Sequence, residues 1–579
     1  MGSPWGSYAP MPFLDLRTVI LLVPLQKGLR SPFQPDDELQ ADTKADEKES
    51  KEKKDAKEPV TVTIDRDGIR ERLIEVPVPP GNYSGLSLTS THLYFLQTDI
   101  SPRRETALMA LKISNEDSQP QEIAPRITGG YELSADRKKI LLRRGNELFV
   151  IDADGQKPQD LNKNKVDLSG WSFQVNPRED WRQIFADAWR LHRDYFYDPG
   201  MHGVDWPAMR RKYEPLVDRV TDRAELSNLI AQMISELSAL HASVRGGDFR
   251  EGQDDTAAAF LGAEFAREDA GFRVVRIYRT DPDFPGEMSL LLQPGVNVGE
   301  GDVITAVNGV EARTAPDLGA LLRNQAGRQV LLSIRDKSGA TREAIVTPHS
   351  STSDFNLRYS AWEYERRELV DEWGKGEIGY VHLRAMGNRN WTEWARNFYP
   401  VFNRKAVVVD VRHNSGGNID SWILNSLLRR AWMWWKPRAG EVYSNMQYAY
   451  IGHLVVLVDE WTASDGEAFA EGFRRLGLGK VIGTRTWGGE IWLSGSNFQK
   501  DRGVATAAES GVFAGGEWLI EGYGVDPDIV VDNLPHATFG GEDAQLRAAV
   551  EHLQRLIREK PVSPPKPPPY PDKSFPKKP

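Results

Sequence analysis

A serine at the junction of a buried strand and a helix holds its hydroxyl clear of the fold, and VVLVDEWTASDGEAFAEGFRRLG at 455–477 places Ser464 in such a turn. There the hydroxyl meets the free N–H groups and positive end of a helix, a setting suited to nucleophilic acyl transfer. The same residues fit a plain helix cap, since Ser464-x-x-Glu467 and Thr462-x-x-Asp465 both have capping-box spacing. Taken alone, Ser464 reads as either. A second run, VVVDVRHNSGGNID at 407–420, ends another apolar strand in Gly416 and Gly417. Glycines can turn a backbone N–H toward an acyl oxygen without a side chain in the way. Together with the Asp465 N–H they form a candidate oxyanion hole, a device worth about 3 to 4 kcal/mol per donor. The simpler reading of the pair is a left-handed turn.

A serine nucleophile needs a base, and ten histidines are present. His349, His382, His536 and His552 each read more simply as structural. His241, in LSALHASVRGGD at 237–248, ends a helical block just before a glycine loop, which suits a presented side chain. No Cys occurs, which removes thiolate chemistry, disulfides and cysteine-held metals. With no HExxH and no GxxxxGK[ST], neither a metal nor another cofactor is expected. A net charge of -10 gives no electrostatic reason for nucleic acid or an anionic membrane as partner. No apolar run approaches the roughly 18 to 20 residues of a membrane span. A soluble, cytoplasmic protein is the expectation.

The elements that must position these groups fall into blocks. At 579 residues several domains are expected. Over 1–165, short β-rich runs such as VTVTID (60–65), LSLTSTHLYFLQ (86–97) and KILLRRGNELFVID (139–152) alternate with turn signals, the spacing of a sandwich or propeller. Val19 to Leu25 reads as a strand, and the charge-rich stretch at 35–59 as a disordered loop. Residues 170–255 carry helical periodicity and read as a separate helical block. Residues 256–350 look like a PDZ module, with GVNVGEGDVITAVNGVEA at 295–312 placing a strand before an Asn308-Gly309 turn. A PDZ module points to peptide as ligand class. Residues 351–557 alternate apolar strands with helices, an α/β domain, and 558–579 form a Pro-rich tail.

Taken together, RDYFYDPGMHGVDW (193–206), HASVRGGD (241–248), the PDZ block, DVRHNSGGN (410–418), the 459–490 run and EGYGVDPDIVVD (521–532) resemble tricorn proteases. The resemblance implies a multidomain α+β and β protein with a partial β-propeller, a helical core domain, a PDZ domain and an α/β protease core. It implies a serine endopeptidase acting on peptides in a ring-shaped homo-oligomer. Site by site it implies Ser464 as nucleophile, His241 as base, Glu521 as the group orienting that histidine, and the Gly416-Gly417 loop with Asp465 as oxyanion hole.

Two departures stand out. Leu240 occupies the position where the family usually has a serine before its histidine. Only about 150 β-rich residues precede the helical block, too few for a propeller ring at roughly 40 residues per blade, so a piece of a longer protein is expected. A C-terminal processing protease would need a lysine where this chain has Gly489. A peptide-binding scaffold that has lost catalysis is the rival from outside the hydrolases. After the glycine loop, Trp432, Trp434 and Trp435 are expected to be core or subunit-contact residues.

Overall fold

The computed structural model describes residues 18–35, 62–100, 104–116, 119–249, 256–493 and 498–575. The chain divides into two units near residue 174. In the first, Tyr83–Leu88, His92–Thr98, Thr106–Lys112 and Gln121–Ala124 form a four-stranded antiparallel meander. Tyr131–Leu133, Lys139–Arg144 and Glu147–Asp152 form a three-stranded one. Alternation builds both: Ile140 and Leu142 face inward while Leu141 faces out. The inward rows of the two sheets share one core through Tyr94, Leu108, Ile140 and Phe149. Among the described residues no sheet closes into a ring.

The strand expected at Val19 to Leu25 shrinks to Leu21–Leu22, paired with Ile74–Glu75. Residues 62–65 of the expected VTVTID strand are irregular. Beyond Pro35, the loop expected over 35–59 lies outside the described residues.

The second unit opens with helices Pro177–Tyr195, Trp206–Tyr213 and Arg223–Ser235. Asp205 and Asp222 cap the latter two by accepting the Ala208 and Glu225 N–H. Trp189 and Trp206 each donate an indole N–H to the other's carbonyl at 3.0 Å, so two large rings are buried without an unpaired donor. These helices share their core with a later part of the chain. Their core takes in Ile491, Ala505 and Ala508, and Val244–Arg245 pairs antiparallel with Val504–Ala505. The apolar faces of three short helices need a further partner, and a distant segment supplies it.

The PDZ sheet runs antiparallel from Ala263–Glu268 through Gly271–Ile277, Val303–Val307 and Val330–Arg335 to Thr341–Val346. Asn308 and Gly309, with φ of 49° and 79°, make the two-residue turn their sequence foretold. Helix Ser351–Trp373 follows.

The α/β part is a five-stranded, all-parallel sheet of β1 (Ile378–His382), β2 (Ala406–Asp410), β3 (His453–Val458), β4 (Gly479–Gly483) and β5 (Ile529–Val530), in that order. Strands β1 and β2 are buried along their whole length, and the other central strands nearly so, as unbroken apolar runs require. Helices Asp420–Leu427 and Asp465–Arg475 follow β2 and β3. The β2 loop is pinned from below: Arg412, 2% exposed, donates to both Asp410 oxygens and, at 2.8 Å, to Asp543, whose carboxylate also caps helix Ala544–Glu559. Residues 561–575 form no regular structure. Among the described residues no helix is long and apolar enough to cross a membrane.

Replacing Arg412 with Ala takes the arginine partner from buried Asp410 and leaves Asp543 with Arg366 alone, and is expected to cost about 3 to 5 kcal/mol in urea denaturation. A loss under 1 kcal/mol would show that the pair does not hold the loop.

Candidate active site

The sheet brings the ends of β2 and β3 together, and Ser464 meets the glycine loop there. A Cβ built on Gly416 would lie 2.5 Å from the Ser464 Cβ. One built on Gly417 would lie 2.1 Å from the Met386 carbonyl oxygen. Only glycine fits either position. Ser464 has φ 53° and ψ -126°, a conformation costing a non-glycine residue about 1 to 3 kcal/mol. Such a turn lifts the hydroxyl out of the sheet.

The capping-box reading is half right. Glu467 does accept the Ser464 N–H at 3.0 Å, but its own N–H goes to the Ser464 carbonyl, which leaves the hydroxyl out of the cap. Thr462 is not a cap: its hydroxyl donates to the Val411 carbonyl at 2.8 Å.

Glu467 does more than cap. It is fully buried, and its carboxylate also accepts the Thr486 hydroxyl, the Gly488 N–H at 2.7 Å and the Gly489 N–H at 2.9 Å. The Ser464 turn is thereby locked to the loop TWGGE at 486–490. That loop continues into Ile491, whose carbonyl accepts the His241 Nδ1–H at 3.0 Å. With Nδ1 committed as donor, Nε2 carries the lone pair, the tautomer a general base requires. The His241 ring stands edge-on to Trp487 at 5.5 Å.

Glu521 is placed differently from the expectation. No hydrogen bond joins it to the imidazole. Its carboxylate accepts backbone N–H groups of Leu240 at 2.5 Å, His241 at 3.4 Å and Glu490 at 3.0 Å, so it fixes the segment that carries the histidine. The hydrogen bond on the ring comes from Ile491 instead. Leu240, 45% exposed, joins this arrangement through its backbone, which any side chain provides.

Gly416 also needs correction. Its N–H is already donated to the buried Asn414 Oδ1 at 2.9 Å, so it is not a free oxyanion donor. Its role is the close approach to Ser464. Among the described residues the Gly417 and Asp465 N–H groups have no acceptor, and they remain as the donor pair. The Asp465 carboxylate points elsewhere, accepting Ile419 and Asp420 N–H groups at 2.7 and 3.0 Å. Burial raises its pKa, and the neighbouring Asp420 carboxylate adds to the shift.

His241 lines a cavity of about 930 Å³ together with Ser415 and Ala463, the residues that precede Gly416 and Ser464. His413 opens on the same cavity and was not singled out from the sequence. Its Nδ1 lies 3.0 Å from Asp459; burial lowers the pKa, but the carboxylate outweighs it and the net shift is upward. His382 ends β1, where burial pushes its pKa down to about 4, and it bonds to the Tyr359 hydroxyl at 2.8 Å. It is a structural histidine. Glu490, between the Glu467-bound glycines and Ile491, has a buried carboxyl oxygen without a partner. Its pKa is pushed up to about 8 by burial and then by Asp465, Glu467, Asp420 and Glu521. Trp432 and Trp435 are 71% and 50% exposed, so they are not core residues.

A parallel α/β sheet with a strained serine at one strand end and glycine amides at the next has the architecture of a serine peptidase. Residues 377–531 match the model of peptidase family S41. Residues 177–235 match the tricorn protease C1 domain, and residues 259–351 the tricorn protease PDZ domain. The chain is 32% identical over 527 residues to tricorn protease homolog 1 of Streptomyces coelicolor, covering 87% of this chain and 48% of that one. It is 32% identical over 511 residues to the putative tricorn-like protease C-terminal subunit of Sulfurisphaera tokodaii, covering 86% and 58%. A crystal structure of the tricorn protease matches with a TM-score of 0.79 at 24% identity, over 93% of this chain and 51% of that one, which shows a shared fold. The chain belongs to the tricorn protease family and spans about half the length of the curated relatives it matches.

Replacing Glu467 with Ala strips the acceptor from three buried donors and is expected to cost about 3 to 5 kcal/mol in chemical denaturation. Replacing Glu490 with Gln is expected to act through pH. The parent carboxyl keeps its proton in the folded state up to about 8, against 4.5 for the reference value, so folding binds the extra proton and stability falls as pH rises between these values. Gln at this position removes that slope. The melting temperature of E490Q relative to the parent should therefore rise from pH 5 to pH 8, and a constant difference would rule out a buried neutral acid.

Proposed function

We propose that this chain is a serine endopeptidase of the tricorn type, cleaving peptides through an acyl-enzyme. The observation that carries this reading is the strained Ser464 turn, with two acceptor-free amides beside it and a tautomer-fixed histidine on the same cavity. His241 Nε2 takes the proton as Ser464 Oγ attacks the peptide carbonyl carbon. The Gly417 and Asp465 N–H groups hold the resulting oxyanion, and His241 passes the proton to the leaving amine. Water then attacks the ester by the same route in reverse. Glu521 acts as a positioning residue by fixing the backbone at 240–241.

The Ser-Lys alternative is disfavoured, because Gly489 stands where the amine would be and its N–H is bound to Glu467. The scaffold reading has to explain why an unfavourable φ persists at Ser464, beside the free amides.

We take 170–255 as the helical core domain, 256–350 as the PDZ domain and 351–557 as the catalytic core, and read the two meanders within 1–165 as blades of an incomplete propeller. The exposed Trp432 and Trp435 support a homo-oligomer contact. The family resemblance supports a cytoplasmic setting, and the absence of cysteine is compatible with it.

Labelling with a fluorophosphonate tests the reading. The parent and His413→Ala should label, whereas Ser464→Ala and His241→Ala should not. Retained labelling in H241A with loss in H413A would make the Asp459-bound histidine the base.

A further inference from the structure

The walls of the cavity beside Ser464 indicate what the site accepts. Helix Ser351–Trp373 presents Phe355, Tyr359 and Trp362 at intervals of four and three residues, which places all three rings on one helical face. All three border the cavity. The rings touch in series, at 6.2 Å for Phe355 and Tyr359 and at 5.6 Å for Tyr359 and Trp362. Trp461, three residues before Ser464, and Trp487, against His241, line it as well. Phe355 and Trp461 are each 64% exposed, a large apolar surface to leave in water.

Each charged group of the lining already has one carboxylate partner. Arg358 bonds to Asp354 at 2.9 Å and His413 to Asp459 at 3.0 Å. Among the described residues no Asp or Glu lines the cavity. A lysine or arginine side chain entering it would lose hydration and meet no carboxylate. An acidic side chain could pair with the amino groups of Arg358 only at a solvated rim, since that side chain is 55% exposed and already holds Asp354 through Nε, and such a pair is worth little. An aromatic side chain loses nothing and gains edge-to-face contacts on both walls.

We infer that this cavity is the specificity subsite of the enzyme and receives an aromatic side chain at the residue next to the scissile bond. The inference rests on the peptidase reading above and deepens it. Phe355 and Trp461 are the specificity-determining residues, and neither takes part in proton transfer.

Internally quenched octapeptides that differ only at the two residues flanking one cleavable bond provide the test, with Phe, Trp, Lys or Glu at either position. Rates are taken per molecule of enzyme titrated with a small fluorophosphonate. Phe or Trp at one of the two positions should exceed Lys and Glu by about tenfold or more in kcat/KM. Phe355→Ala should shrink that ratio several-fold through KM, and Phe355→Leu should restore part of it. Enzyme that labels but shows no aromatic preference, or prefers Lys, overturns the subsite while leaving the peptidase reading intact. Enzyme that does not label at all overturns the peptidase reading and the subsite with it.

Discussion

The site depends on one buried carboxylate. Glu467 accepts four hydrogen bonds, from Ser464, Thr486, Gly488 and Gly489, and it is fully enclosed. An acceptor so satisfied can be buried without the desolvation cost of an unpaired charge. It also makes the geometry of two loops interdependent. The serine turn holds its unfavourable φ because its N–H is fixed on Glu467 Oε2, which also takes the Gly489 N–H, while Oε1 takes Thr486 and Gly488 of the same loop. From that loop one hydrogen bond to the Ile491 carbonyl sets the histidine tautomer, and one to Glu521 sets the histidine backbone. Serine and histidine, 223 positions apart in the chain, are thus joined by a continuous polar path.

Around this path five carboxyls crowd together: Asp420, Asp465, Glu467, Glu490 and Glu521. Backbone N–H groups supply most of the compensation, with no buried arginine or lysine among the partners named above. Where amides suffice, as at Glu467, the group serves as a structural acceptor. Where they do not, as at Glu490, the proton stays on. A site assembled in this way offers Ser464 preoriented dipoles with little free charge nearby, which would suit the proposed step in which negative charge develops on the substrate oxygen.

Much of this was legible in the chain. The apolar runs at 377–383, 406–411, 453–459 and 480–484 appear as the first four parallel strands, because length and continuous apolarity identify strands buried on both faces. The glycines at 416 and 417 and the turn at Ser464 were legible through local stereochemistry. What was hidden is what depends on non-local placement. Glu467 showed the spacing of a cap, and nothing local revealed that its carboxylate had three further donors from twenty residues away. Gly416 read as an oxyanion donor because its own side-chain neighbour, Asn414, gave no sign of taking that amide. The completion of the helical core by Ile491, Ala505 and Ala508 was hidden because they come from a stretch with no helical period. Glu521 was assigned by resemblance to the imidazole, whereas it grips the peptide N–H groups on either side of residue 240.

The pairing of Val244–Arg245 with Val504–Ala505, and of Leu240 with Glu521, has a consequence for the life of the chain before it is complete. Synthesis delivers the histidine segment first and the strand and carboxylate that secure it more than 250 positions later. During that interval the helices lack part of their core, and the histidine lacks both the carbonyl for its ring and the acceptor for its backbone. The surroundings of His241 are therefore complete only when the far end of the second unit folds back onto its beginning.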